Sequence, residues 1–207
     1  MNTKLIALFA AALFFAASLH ASPIIPAPAS SDLSFHFEAG LSYSSGIDKV
    51  ADQLEQNFGL EKKSTWPIGI KFSGYAEYAN GLAVGASIGP FMFIQVEDRS
   101  PYHTYGNQES YVVPSSLDVR FFPLLSGPYR PYLRAGLAYP FSGGDQIGSG
   151  TVGPVTALGL YFWSHRIMSL GVEAGYDGSE VEIKGGAFHG PEKVRPVGFT
   201  FSVFASF

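Results

Sequence analysis

Strict alternation of side-chain type along the chain is the feature that most limits how it folds. From Leu33 to Ser44, every odd position is apolar and every even position is polar, charged or glycine. Successive side chains of a β-strand point to opposite faces, so this period of two predicts a strand with one apolar face. The last segment alternates in the same way, and its apolar face holds Val197, Phe199, Phe201, Val203, Ala205 and Phe207.

Six further segments alternate between these two, which brings the total to eight predicted strands. They cover residues 68–78, 82–89, 111–121, 132–139, 152–162 and 168–176. Most are close to the roughly 9–11 residues that a tilted strand needs to cross a bilayer. Pro114 and Pro154 fall within them, and Pro90 directly follows the segment 82–89. Because proline donates no hydrogen bond to a ladder, we expect these three at strand ends or bulges.

The two faces of these strands differ in size as well as polarity. Bulky Leu, Phe and Val side chains share one face, and small or charged side chains share the other. A narrow eight-stranded interior holds small residues and a few charges, while lipid contacts the bulky apolar face. A soluble barrel with its apolar face inside is the alternative, but it would have an unusually glycine-rich outer face. The pattern therefore predicts an all-β fold, an eight-stranded antiparallel up-and-down transmembrane β-barrel over residues 32–207.

The first 31 residues differ from the rest of the chain. Lys4 precedes an almost wholly apolar run from Leu5 to Leu19, and Ala21 ends a segment of the kind cleaved after export. This order predicts a cleaved secretory signal peptide over residues 1–21, read by the Sec pathway. Residues 22–31 are small and proline-rich, which is typical of a loose tether.

The connections between the predicted strands alternate in length. Asn80-Gly81 is a two-residue turn signal, whereas residues 46–66, 97–109, 142–150 and 184–195 form longer connections. Short turns on one side and long loops on the other are typical of outer-membrane barrels, with both termini in the periplasm.

The first long connection carries the one helical pattern. Ile47, Val50, Leu54 and Phe58 recur at helical spacing, with Asp48 as a candidate start and Gly59 as a candidate end. We expect this helix to pack its apolar side on the barrel mouth or at the lipid interface, with a lid or partner-binding element as the alternative.

The final strand, from Phe199 to Phe207, ends in an aromatic residue. In this motif and in its eight alternating segments, the chain resembles the small bacterial outer-membrane β-barrel proteins, the group of the OmpA membrane domain, OmpX and OmpW. The resemblance covers residues 33–207 and implies residence in the outer membrane. It also implies that Phe199, Phe201, Val203 and Phe207 form the signal that the barrel-assembly machinery recognises. No motif separates one member of the group from another, so no particular activity follows.

Ionisable side chains also fall on the predicted inner face. Apart from His36, they are Glu38, Lys71, Glu77, Asp118, Arg120, Arg134 and Glu173. Buried charges persist when they are paired, and Arg120 and Arg134 flank one short turn, so we expect an ion-pair network around these two arginines. Such a network predicts a plugged structural or surface-interaction barrel with exposed outer loops. A narrow passive channel for small or hydrophobic solutes is the alternative.

Other functional classes receive little support from the residues. No cysteine is present, which excludes disulfides and thiolate sites. No serine is placed as a nucleophile beside a histidine, so we expect no catalytic site and no enzyme activity. No histidine pair has metal-ligand spacing, so neither a metal nor another cofactor is expected. The formal charge of −4 without a basic run disfavours nucleic acid. The expected partners are outer-membrane lipid, the assembly machinery and an extracellular partner at the outer loops, and the barrel is expected to be a monomer.

Overall fold

The structure is a computed structural model that describes residues 33–59, 61–97, 107–124, 127–144, 146–162, 168–184 and 190–207. The signal peptide and the tether predicted for residues 1–31 lie outside the described residues, and both stay predictions. All described residues belong to one compact unit, Leu33–Phe207.

The elements follow one another as thirteen strands and one helix within the described ranges. In chain order they are β1 (Leu33–Ser44), α1 (Ile47–Phe58), β2 (Glu61–Thr65), β3 (Ile68–Tyr78), β4 (Leu82–Ile88), β5 (Met92–Glu97), β6 (Asn107–Phe121), β7 (Tyr129–Gly143), β8 (Ile147–Thr151), β9 (Gly153–Phe162), β10 (Ser169–Asp177), β11 (Glu180–Ile183), β12 (Glu192–Val194) and β13 (Gly198–Ser206).

Eight of these strands form a closed antiparallel ring. Its order is β1-β3-β4-β6-β7-β9-β10-β13, and β13 pairs with β1 to complete it. Closure leaves no unpaired edge in the ring, which a hydrocarbon environment requires because it offers no hydrogen bonds. The predicted eight-stranded up-and-down barrel is therefore confirmed. Leu33 and Phe207 mark what we call the terminal end of the barrel, and the opposite end is the capped end.

The outer surface of the ring is a belt of exposed apolar side chains. Phe35 is 78% exposed and Leu117 is 72% exposed. Aromatic side chains lie at both margins of the belt, with Tyr43 and Trp66 exposed near the capped end and Tyr129 exposed near the terminal end. A continuous apolar belt with aromatic margins is stable in a bilayer, where lipid chains cover it and the rings lie at the interfaces.

The wall continues beyond the belt at the capped end. There β2 pairs with β5, which pairs with β6, while β8, β11 and β12 form a separate three-stranded sheet. The long connections predicted at 46–66, 97–109, 142–150 and 184–195 thus contain ordered strands and α1, so their description as loops was wrong in part. Their strands are short and lack clean alternation, which hid them in the sequence.

A β-bulge separates β4 from β5. Both strands pair with β6, Ile88 opposite Ser115 and Met92 opposite Val112. Met92 is four residues beyond Ile88, whereas Val112 is only three residues from Ser115, so the β4–β5 side contains one extra residue. The extra residue shifts the alternation by one, so Ile88 faces outward whereas Met92 is buried. Pro90 thus lies in a bulge, which is one of the two positions expected for it.

The three prolines meet the ladder in different ways. Pro90 lies in the bulge, and Pro154 is the second residue of β9. Pro114 lies in the middle of β6, and of the two positions expected for it, it takes the one beside the bulge. The carbonyl of Pro114 accepts the N–H of Gly89 at 2.8 Å. Because the N–H and C=O of one residue in an antiparallel strand point to the same side, the N–H that proline lacks would also point toward the bulge. The interrupted ladder there tolerates the missing donor.

Helix α1 covers the mouth of the barrel. Its apolar side chains Ile47, Val50 and Leu54 are fully buried. Gly59 ends the helix in the left-handed conformation at φ 65°, as predicted. The start differs from the prediction, because the N-cap is Gly46 and Asp48 lies inside the first turn. Within the described ranges, no helix is long and apolar enough to span a membrane.

One side chain of the last apolar face was assigned wrongly. Phe199, Phe201 and Val203 are exposed on the belt, but Val197 is only 1% exposed and packs under α1. Gly198 has φ 65°, and this turn of the backbone breaks the alternation between Val197 and Phe199.

Candidate functional site

The lumen within the belt begins, at the terminal end, with a floor of aromatic side chains. This floor consists of Tyr75, Phe122, Tyr132, Tyr161 and Phe204, all buried. Neighbouring ring centroids are 5.3 Å apart for Tyr132 and Tyr161 and 6.0 Å apart for Phe122 and Tyr161. Aromatic rings attract one another at such distances, so the floor is a packed layer.

Inward-facing glycines make room for these rings. A Cβ atom at Gly159 would lie 2.1 Å from the ring of Tyr132, and one at Gly171 would lie 2.3 Å from the ring of Phe204. Both contacts are far inside van der Waals distance. The glycine-rich inner face therefore gives the aromatic floor its space.

Arg120 lies above the floor and is 0% exposed. Its two terminal nitrogens donate to the two oxygens of Glu38, at 2.7 and 3.0 Å, and its Nε donates to Asp118 at 3.3 Å. The guanidinium also stacks 4.4 Å from the ring centroid of Tyr75. A planar fork that bonds both carboxylate oxygens is the strongest form of such a pair.

Arg134 forms the second half of the network. Its guanidinium lies 2.8 Å from Asp118 and 3.0 Å from Glu173, and it also donates to the hydroxyls of Ser87 and Ser116. Asp118 thus lies between the two arginines, with one oxygen toward each. The carboxylate offsets the repulsion that two neighbouring guanidinium groups would otherwise exert on each other.

Lys71 completes the network from β3. Its Nζ donates to Oε1 of Glu173 at 2.7 Å, and the Tyr132 hydroxyl donates to the other oxygen of Glu173 at 2.7 Å. The hydroxyls of Ser73 and Tyr161 donate in turn to Glu38. We call the set Glu38, Lys71, Asp118, Arg120, Arg134 and Glu173 the charge layer.

Glu77 and His36 lie outside the charge layer. Glu77 pairs with Arg130, and its second oxygen lies 3.4 Å from Nε2 of His36. The expected network around Arg120 and Arg134 included Glu77, and the structure does not bring Glu77 to either arginine. Arg130 was not among the predicted lumen residues, and its guanidinium lies 4.6 Å from the ring centroid of Phe122.

The described residues line two small compartments of the lumen. The outer one, toward the capped end, offers about 30 Å³ to the centre of a water molecule, and the inner one offers about 10 Å³. Because roughly 10–15 Å³ on this measure holds one water, the outer compartment fits about two waters and the inner one at most one.

The capped end closes with an apolar core, which we call the cap. Apart from α1, its buried side chains come from four strands and the segment before β13: Met92, Ile94, Val96, Val112, Ile147, Val181, Ile183 and Val197. Helix α1 is held at its two sides by polar bonds, from Thr65 to Asp48 at 2.7 Å and from Gln53 to Glu192 at 2.6 Å. Apolar packing and these side bonds together hold α1 in the mouth.

The last strand carries the four residues that the resemblance links to assembly. Phe199, Phe201 and Val203 are exposed on the belt. Phe207 exchanges two backbone hydrogen bonds with Phe37, at 2.8 and 3.0 Å, at the terminal end of the β1–β13 seam. No side chain of these four reaches the lumen in the described contacts, so they are separate from the charge layer.

Several members of the lumen were absent from the sequence prediction. Tyr75, Tyr132, Tyr161, Ser73, Ser87 and Ser116 bond or stack with the charge layer. All share the inner face with the predicted charges, so the alternation already carried this signal. Within the described residues, no group of three His, Asp or Glu side chains is arranged to hold a metal ion.

Comparisons with known proteins support the fold. No protein-family description matches the chain, and no curated protein matches it in sequence. Among solved structures, the chain is similar to outer membrane protein W of E. coli, with a TM-score of 0.51 and 17% identity over 84% of this chain and 96% of that one. It is also similar to the outer membrane protein AlkL in lipid bilayers, with a TM-score of 0.50 and 14% identity over 90% of this chain and 95% of that one. The chain therefore has the fold of the small outer-membrane β-barrels.

Proposed function

We propose that this chain is an integral outer-membrane protein that acts as a closed scaffold and presents its capped end at the cell surface. The observation that carries the proposal is the filled lumen. Aromatic floor, charge layer and cap follow one another along the barrel axis, and Arg120, at the centre, is 0% exposed. Water and solutes have no continuous path through such a series of packed layers.

A narrow passive channel is the second candidate, and the two water-sized compartments favour it. They are too small for a hydrated solute, however, at about 30 and 10 Å³. The cap also lies between the outer compartment and the mouth, and its buried side chains are apolar. Opening a route would require the displacement of α1 as well as a rearrangement of the charge layer.

Conductance of the refolded protein distinguishes the two candidates. Protein inserted into a planar bilayer is expected to give no discrete current steps above the protein-free bilayer. Insertion is verified on the same sample by a gel, on which unboiled folded protein migrates to a different position from boiled protein. Discrete steps from a verified insertion would overturn the scaffold and support the channel.

The proposed orientation places both termini in the periplasm and α1 outside, after export by the Sec pathway and insertion by the barrel-assembly machinery. The short Asn80-Gly81 turn, closed by a 2.9 Å bond from Gly81 N–H to the Tyr78 carbonyl, lies at the terminal end and supports it. A cysteine at the exposed Glu55 is expected to react with a membrane-impermeant thiol reagent on intact cells. Reaction only after cell lysis would reverse the orientation.

The capped end is the surface that we propose for an extracellular partner. Its outward residues are polar or charged, as in α1, where Lys49, Asp52 and Glu55 are exposed. Loops on a rigid support are where recognition residues concentrate. A closed barrel supplies that rigid support, since its wall is hydrogen-bonded around the full ring.

A further inference from the structure

The two compartments of the lumen share one side chain. The inner one is lined by Glu38, Ser73, Glu173 and Phe204 among others, and the outer one by Ser42, Arg134, Asp177 and Thr200 among others. Lys71 lines both, and among the described residues it is the one that does so. Its side chain therefore stands at the boundary between them.

Each compartment also contains a buried carboxylate from β10. Glu173 is on the inner side and accepts the Lys71 ammonium at 2.7 Å. Asp177 is on the outer side and is 5% exposed. Among the described residues, Asp177 has no cation within ion-pair distance, and its hydrogen-bond donor is the N–H of Ser179 at 2.8 Å. Asp177 is thus a buried carboxylate with acceptor capacity to spare.

The other carboxylates of the charge layer are already engaged. Glu38 accepts from Arg120, Ser73 and Tyr161, and Asp118 accepts from Arg120, Arg134 and Ser116. Glu173 accepts from Arg134 and Tyr132 in addition to Lys71. A lysine that leaves Glu173 therefore finds a free carboxylate at Asp177 rather than at Glu38 or Asp118.

We propose that Lys71 is a two-position gate inside the lumen, which moves between Glu173 and Asp177. The inference rests on the proposed function, because it assigns a movable element to the closed lumen. A lysine suits this role because its ammonium is a point charge on a flexible four-carbon stem, unlike the planar fork of Arg120. Glu173 keeps Arg134 as a partner when Lys71 leaves, so neither carboxylate is left without a cation.

Movement of Lys71 has a structural consequence. In its present position the side chain separates the two compartments. Once it points toward Asp177, the inner compartment opens into the outer one beside the charge layer. Water then reaches from the hydroxyls under the cap to Glu38, while the cap above and the aromatic floor below stay closed.

A double-mutant cycle tests the gate. Wild type, Glu173→Gln, Asp177→Asn and the double variant are unfolded with urea in lipid vesicles and followed by tryptophan fluorescence and gel migration. Asn keeps an oxygen for the Ser179 N–H. We expect Asp177→Asn to leave the wild-type midpoint nearly unchanged and to shift the midpoint of Glu173→Gln clearly to lower urea, because Lys71 has then moved to Asp177. Glu55→Gln, a charge change on the exposed face of α1, is the matched control and is expected to be additive.

Equal shifts by Asp177→Asn in both backgrounds would overturn the gate. Should Glu173→Gln fail to fold, Glu173→Asp replaces it, because Asp retracts the carboxylate from Lys71 but keeps its charge, and the same two outcomes apply. The cycle and the conductance measurement fail independently. An additive cycle would contradict the proposed gate but not the closed scaffold. Discrete current steps in wild type would contradict the scaffold, and the result of the cycle would still report on Lys71.

Discussion

The lumen within the belt and the cap above it share strand β6, yet their interiors are opposite in chemistry. Along β6, the inward side chains change from Arg120 and Asp118 within the belt to Val112 under α1. Within the belt, the apolar side chains face outward, where lipid covers them, and the inward side chains are small or are paired polar groups. Above the belt, the outside is polar, and apolar burial stabilises the inside as in a soluble protein.

The switch between the two regions is local. On the β4–β5 strand it is made by the bulge, since Val84 and Ile88 point out and Ile94 points in. On β6 no switch in direction occurs, and only the residue types change. The interior therefore changes from polar to apolar in two ways. On β4 and β5 the register shifts at the bulge, whereas on β6 the register stays constant and the inward residues change from polar to apolar.

The largest expected effect comes from changing the register of β5. Insertion of one glycine after Phe91 moves Met92, Ile94 and Val96 one place along β6, so these three side chains would turn to the outer face. Each side chain loses roughly 1.5–3 kcal/mol of burial, which sums to about 5–9 kcal/mol. The cap is expected to open while the barrel below persists, seen as rapid protease cleavage near α1 with unchanged gel mobility of the unboiled core. A cap that resists protease would show that the register of β5 does not set the reversal.

The charge layer is expected to be nearly as sensitive. Arg120→Met leaves Glu38 and Asp118 without their central cation, and breaking a buried pair from one side costs about 3–5 kcal/mol. Urea unfolding in vesicles measures the loss. Arg195→Met, at an exposed pair with Glu180, is the matched control and is expected to cost less than about 1 kcal/mol. Equal losses would mean that the charge layer contributes no more than a surface pair.

The eight strands were predictable because lipid and lumen impose the same period of two on every wall segment. The cap was not, since strands such as Ile147–Thr151 are short and alternate poorly. The charges were placed on the correct face from alternation alone. Which of them meet depends on the stagger of strands around the ring, and that is why Glu77 was grouped with Arg120 although it pairs with Arg130.

The cap responds to apolar truncation. Leu54→Ala removes a fully buried side chain from the centre of α1, at a cost of about 2–5 kcal/mol for a core leucine. Hydrogen exchange is expected to rise in α1 and β5 and to stay low in the belt, whereas Glu55→Ala, one residue away on the exposed face, changes little. Uniform destabilisation of both regions would indicate that cap and belt unfold as one unit.

The smallest expected effect comes from overpacking the aromatic floor. Gly159→Ala places a methyl group 2.1 Å from the Tyr132 ring, and overpacking of this kind costs about 1–3 kcal/mol. Gly190→Ala has open space around the added atom and serves as control. Urea midpoints that agree for the two variants would show that the floor yields freely, contrary to a packed layer.

Thiol labelling at Ser116 tests the closed polar lumen most directly, because the chain has no cysteine of its own. Ser116 lies beside Arg134 and Asp118, and cysteine differs from serine by one atom. In vesicles, Ser116→Cys is predicted to resist a small charged thiol reagent until the protein is unfolded, while Glu55→Cys on α1 reacts at once. Labelling of Ser116→Cys in the folded protein at a rate near that of Glu55→Cys would contradict a closed lumen.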